Sequence, residues 1–118
     1  MRKARMRTEE TQRRYEEYKR HPKEGCVICS AQSERELEHW RIVRNDFPYD
    51  YVAERHSMLV PKRHVAQYAE LTDPEKDEFE GLQPGVEDFD ILLKQFPRNQ
   101  TVPDHLHYHL LKLIFEDV

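Results

Sequence analysis

A chain of 118 residues, 37% hydrophobic and 36% charged, is one small domain with one core. Its formal charge of -4 gives no general basic field, and no segment approaches the ~18 apolar residues of a membrane span. Neither a dedicated nucleic-acid binder nor a membrane protein is expected, and the start Met1-Arg2-Lys3-Ala4-Arg5-Met6-Arg7, without an apolar stretch after its charges, predicts a cytoplasmic protein.

Thr8 is a natural N-cap for a charged helix that runs to about Arg20 and is ended by His21-Pro22. Tyr15 and Tyr18, three apart, are its anchor onto the rest of the chain. Lys23-Glu24-Gly25 marks a boundary, giving a charged helical extension over 1–24 and a domain over 25–118. Cys26-Val27-Ile28-Cys29 follows, and in a reducing compartment such a pair favours a metal half-site or redox pair over a structural disulfide. Ser33-x-x-Glu36 predicts a short capped helical turn, and Trp40 to Arg44 a strand. The next strand contains Met58-Leu59-Val60 and begins as early as Tyr51.

Thr72-Asp73-Pro74-Glu75 combines an N-cap, a first-turn proline and a capping-box glutamate, so a helix starts there. Phe79 and Leu82 form its apolar face. Beyond Pro84-Gly85, the spacing of Val86, Phe89, Leu93 and Phe96 predicts a second helix or a kinked continuation. Pro97 and Pro103 bracket an extended piece before a last strand. The order of elements predicts an α+β domain, an antiparallel sheet of about five strands covered by one or two helices.

The last strand carries His105-Leu106-His107-Tyr108-His109-Leu110-Leu111. With seven histidines in the chain, random placement gives such an alternation about 0.02 times per sequence. Along a strand the three imidazoles share one face, successive ones roughly 6.5 to 7 Å apart, so one metal ion takes two neighbours at most. A histidine is left for other work. A neutral imidazole is nucleophilic near pH 7 and approaches an anionic phosphate without adding a like charge.

The run from His105 to Leu111, His-φ-His-φ-His-φ-φ with φ apolar, resembles the signature of the histidine triad (HIT) family of nucleotide hydrolases and transferases. His56-Ser57-Met58-Leu59-Val60-Pro61-Lys62-Arg63-His64 is similar to the family's upstream His-x-x-φ-φ-Pro-Lys-Lys/Arg-His segment. Asn45-Asp46-Phe47-Pro48-Tyr49 resembles its Asn-x-aromatic-Pro-Tyr stretch, and Cys26-x-x-Cys29 the knuckle of its zinc-containing type. The likeness covers roughly residues 25 to 115.

That resemblance implies a HIT-like fold and a nucleotidyl hydrolase or transferase. Its substrate would be a nucleoside phosphoramidate, a dinucleoside polyphosphate or a similar small nucleotide. In this reading His107 attacks the α-phosphate to form a nucleotidyl-histidine, His109 stabilises developing charge, and His56 completes the hydrogen-bonded cluster. A backbone carbonyl is expected to hold the other ring nitrogen of His107. Cys26, Cys29, His64 and His105 would hold a structural zinc, with His21 and His39 as competing ligands. A catalytic zinc shared by the knuckle and the triad would need an open position and a carboxylate base, and the sequence singles out none.

For the nucleotide, the resemblance implies Trp40, Ile42 and Phe47 against the base, with Trp40 as plain core the alternative, and Asn45 or Asp46 on the ribose. Gln100 and Thr101 would face the phosphate, in a segment where Asn99 replaces the family's glycine. The interval from Asn45 to His56 is a few residues longer than the family's pattern, with Asp50-Tyr51-Val52 as the insert. His109 stands where the transferase branch carries glutamine. A homodimer is implied as well. The alternative is a zinc-stabilised nucleotide-binding or interaction module with little turnover.

Overall fold

The computed structural model of the chain describes residues 4–82, 85–96, 100 and 102–117. Helix α1 spans Glu9–Arg20, with Thr8 accepting from Thr11 N, acids in the first turn and Lys19 and Arg20 in the last, as the helix dipole favours. The strands are β1 Ser33–Glu36, β2 Trp40–Arg44, β3 Ala53–Pro61, β4 Ile91–Leu93 and β5 Tyr108–Leu113. They form one antiparallel sheet in the order β1-β2-β3-β5-β4. Helix α2, Asp73–Glu80, starts at the Thr72/Glu75 capping box with a proline in its first turn. This five-stranded antiparallel sheet with two helices is the α+β fold that the order of elements predicts.

Alternation along the strands gives the sheet two different faces. Trp40 and Ile42 of β2, Leu59 of β3, and Tyr108 and Leu110 of β5 point to one side, where Phe79 of α2, Leu71, Leu82 and Phe89 close an apolar core. Trp40 is fully buried and donates its Nε1 to Glu75 O at 2.8 Å. On the other side, Val43 and Val60 pack with Ile28 beside the cysteines, while Leu111 and Ala53 pack with Tyr49 and Met6. His56 and His109 lie on that second face, because Met58 pairs with His109 and His56 with Leu111.

Three local expectations give way to pairing. Ser33–Glu36 is strand β1 rather than a helical turn, since Ser33, Arg35 and Glu36 register against β2. The run from Val86 to Phe96 holds no helix: Val86 and Phe89 pack on the core, and Ile91–Leu93 forms the edge strand beside β5. Asp90 clamps that edge, its N–H on Leu111 O and its carboxylate accepting Leu113 N, both at 2.8 Å. A helical-period pattern loses here to the ladder hydrogen bonds it supplies. The triad itself is only partly in a strand, as β5 begins at Tyr108 and leaves His105 and His107 in the segment before it. That lets His105 turn toward the cysteines instead of lining up with the other two.

Candidate active site and metal centre

Two backbone groups fix the protons of the histidine cluster. His56 Nδ1 lies 3.0 Å from the N–H of Tyr49, which only donates, so this nitrogen accepts and the neutral ring carries its proton on Nε2. From Nε2 it donates to His109 Nδ1 at 2.8 Å. His109 therefore keeps its proton on its own Nε2, a buried atom with no partner among the described residues. In the other branch His107 Nδ1 sits 2.9 Å from His105 O, which only accepts. The proton of His107 is thus on Nδ1, and its Nε2 presents a free lone pair. The carbonyl expected to orient this ring is that of His105.

Burial keeps the imidazoles neutral. All three are at most 5% exposed. Desolvation, with the His109 ring and Arg7 adding to it, pushes His56 down to about 3. Desolvation, His107 and Arg7 push His109 down to about 4. His107 is also lowered, burial outweighing the carbonyl of His105, with Lys94 contributing. Rings enforce the arrangement: Tyr49 lies 4.3 Å from His56 and 5.5 Å from His109 between centroids, and His107 meets His109 edge-on at 5.3 Å. Asn45 prepares this by an Asx turn, its Oδ1 accepting Phe47 N at 2.8 Å. Asn45 Nδ2 is 3.5 Å from His56 Nε2, too long to displace the bond to His109.

Cys26, Cys29, His64 and His105 come together with all four ligand atoms within 4.8 Å of one another. The His64 and His105 Nδ1 atoms are 3.2 Å apart, and sulfur to nitrogen distances run from 3.2 to 3.5 Å. A tetrahedral ion with Zn–S of ~2.3 Å and Zn–N of ~2.05 Å sets neighbouring donors about 3.3 to 3.8 Å apart, so this donor set fits a metal ion. His105 Nε2 is held by Pro61 O at 3.0 Å, the kind of outer bond that orients a ligating imidazole. Neither competitor joins the cluster: His21 is exposed at the end of α1, and His39 lies beside Glu38 at 3.7 Å.

The nucleotide contacts expected from the sequence are scattered. Trp40 and Ile42 belong to the α2 core on the opposite face of the sheet, so they do not meet a base at the histidines. Phe47 is half-buried between the rings of Tyr15 and Tyr18, at 5.3 and 5.1 Å. Asp46 is exposed, and Gln100 is half-buried with its Nε2 on Gln95 O at 3.2 Å. Thr101 lies outside the described residues. The sequence assigns no role to Tyr49, whose backbone and ring organise the cluster, although it ends the stretch from Asn45 to Tyr49. It assigns none to Asp50 or Arg7 either. Asp50-Tyr51-Val52, an insert by its length, is where the N-terminal arm docks: Asp50 accepts Thr8 N at 2.9 Å, and Tyr51 N donates to Met6 O at 3.0 Å.

Solved structures of HIT proteins share this α+β fold. A HIT family hydrolase from Clostridium thermocellum shares 26% identity and a TM-score of 0.56, covering 76% of this chain and 91% of that one. A histidine triad protein from Clostridium difficile shares 21% identity, with a TM-score of 0.57 over 81% of this chain and 96% of the other. A hypothetical histidine triad nucleotide-binding protein from Sulfolobus tokodaii shares 23%, with a TM-score of 0.58 over 78% and 71%. No sequence-family model and no curated protein matches the chain. No helix among the described residues is long and apolar enough to cross a membrane.

Proposed function

We propose that this chain is a member of the HIT family, of the zinc-containing type, that splits small nucleotides at the α-phosphate. The observation that carries the reading is the proton order in the cluster. His107 Nε2 offers a lone pair while the neighbouring His109 Nε2 offers a buried, unpartnered N–H, a nucleophile and an anion donor side by side. His107 attacks phosphorus, a nucleotidyl-histidine forms, and water resolves it. His109 holds a phosphate oxygen as charge develops, and His56 keeps His109 in the donating tautomer. The hydrolase neighbours support the reaction class.

Cys26, Cys29, His64 and His105 would hold zinc, which when bound supplies a rigid cross-link rather than reactivity. His105 then ties the segment carrying His107 to the chain after Pro61. In this reading Asn45 and the exposed Asp46 hold the ribose, and Gln100 serves the phosphate. The protein works in the cytoplasm as a homodimer. The exposed Ile91 and Leu92 of edge strand β4, with Phe96, Ile114 and Phe115, are the surface that a second copy covers. Sedimentation equilibrium finding only the monomer mass would remove the dimer.

The reaction is tested by mixing protein with a dinucleoside polyphosphate or nucleoside phosphoramidate, quenching in base and mapping adducts. A nucleotidyl group on the peptide containing His107, with monophosphate release, supports the reading. Nucleotide binding without adduct or release would leave a binding module instead.

A further inference from the structure

The N-terminal arm brings a cation to the histidines. Met6 packs against Tyr49, Ala53 and Leu111, and its carbonyl accepts from Tyr51. The Asp50 carboxylate accepts Thr8 N, Thr8 Oγ1 and Thr11 Oγ1 at 2.9, 3.2 and 2.5 Å. Arg7 lies between these anchors. Its guanidinium carbon is 4.2 Å from the Tyr15 ring centre and 4.9 Å from that of Tyr49, and its Nε donates to Phe47 O at 2.7 Å. Tyr49 is the ring that packs on His56 and His109, so the charge stands one aromatic ring from the cluster.

Arg7 combines a missing counter-ion with a place beside the cluster. Arg35 and Arg55 share Asp88, Arg63 holds Glu75, and Arg5 and Arg20 meet Glu9 and Glu17. Among the described residues Arg7, like Arg13, Arg14, Arg41 and Arg44, has no carboxylate partner, and of these only Arg7 stacks on Tyr49, with its Nε on Phe47 O. Its charge is felt at both His56 and His109, which burial already holds neutral. A half-buried, unbalanced cation and the unpartnered N–H of His109 call for the same thing: an anion with oxygens for both.

We propose that Arg7 and His109 Nε2 form an anion subsite for the leaving group, so that the substrate is a nucleotide that departs as a phosphate, as in a dinucleoside polyphosphate, rather than as an amine. This rests on the reaction proposed at His107. There, the Nε2 lone pair forms the N–P bond while the bond from phosphorus to the bridging oxygen breaks. The electron pair leaves on that oxygen as an anionic phosphate, stabilised by Arg7 and the His109 N–H without a proton transfer. Water then forms the new P–O bond, the N–P pair returns to Nε2, and the water proton passes to solvent. An amine would have to leave with a proton, and His56 and His109, neutral at pH 7, have none to spare.

The test uses the whole chain with diadenosine tetraphosphate and adenosine phosphoramidate, which share one nucleotidyl half. Arg7→Ala should lower kcat/KM on the tetraphosphate about 30-fold or more, the scale of a charge-assisted contact, and at least tenfold less on the phosphoramidate. Added guanidinium ion should restore part of the loss, Arg7→Lys should retain part of the rate, and Asp50→Ala, which frees the arm, should reproduce the selective loss. Equal losses on both substrates without rescue would reduce Arg7 to a tether and overturn the subsite. Calorimetry on the His107→Asn protein separates the two readings: ADP should bind about tenfold tighter than AMP, and Arg7→Ala should erase that margin. An Arg7-dependent margin in a chain that turns over neither substrate sinks the reaction and keeps the subsite. Normal turnover with no margin and no Arg7 effect does the reverse.

Discussion

His105 and His107 are two residues apart, and their imidazoles are placed in opposite ways. The His105 ring enters a gathering of four donors whose last requirement is an ion, with Cys29 and His64 open to solvent. The His107 ring is buried with its lone pair kept free, in a cluster whose last requirement is an acceptor for His109 Nε2. The difference comes from where β5 starts: before Tyr108 the chain is free of the ladder, so one imidazole can turn toward the cysteines. The His105 carbonyl stays behind to orient His107. Under the proposed function, one stretch carries a site for stability and a site for reactivity, linked by the bond from His107 Nδ1 to His105 O.

Mutating each region in turn should separate them. His107→Asn is expected to lower nucleotide release by about 1,000-fold or more, the usual cost of removing a nucleophile, with one metal ion per chain and an unchanged melting temperature. Cys29→Ser should do the opposite: loss of the metal by elemental analysis and about 4 kcal/mol or more of stability in a denaturant titration, while residual activity tracks the folded fraction. If Cys29→Ser kept its stability, the knuckle would not anchor the fold and the division of labour would fail.

Acid should act on the cluster first. His56 and His109 sit near 3 and 4 in the folded chain but near ~6.5 when unfolded, so the unfolded chain binds more protons between these limits. Stability should be flat above pH 7, fall as pH drops from about 6.5 toward 4, and lose on the order of 3 kcal/mol in that window once relaxation is allowed for. Glu75, held down to about 2 mainly by its hydrogen bond to Arg63, would add its loss only at lower pH. Melting curves of His56→Gln should show a shallower fall. An equally steep one would place the titrating groups elsewhere.

How much of this the sequence carried depends on how local each cause is. The start of α2 lies in Thr72, Pro74 and Glu75, within one turn, and reads directly. The triad and the cysteine pair read by spacing, and the fold gathers them into the two clusters. Strand β1 does not, since Ser33 and Glu36 favour a turn and the pairing with Val43, Ile42 and Arg41 decides against it. Edge strand β4 fails in the same way, a helical stripe recruited by β5. Arg7 was beyond reach altogether, because its ring partner Tyr49 and its hydrogen-bond acceptor Phe47 lie some forty residues away in sequence.

The smallest effect belongs to Tyr49, and it tests what the cluster needs from that residue. Tyr49 offers a backbone N–H to His56, a ring to His56 and His109, and a buried hydroxyl that accepts from Gln95 Nε2. The first two set the tautomer and position of His109; the third ties Tyr49 to the segment after β4. Tyr49→Phe keeps the N–H and the ring and leaves one amide hydrogen without its partner. A net cost of about 1 kcal/mol in stability is expected, with turnover within about twofold of wild type. Tyr49→Ala keeps only the N–H, so it should cost about 3 kcal/mol and lower turnover as His109 loses its packing. A large loss of turnover in Tyr49→Phe at normal stability would mean that the hydroxyl, rather than the proton order imposed by the backbone, sets the chemistry.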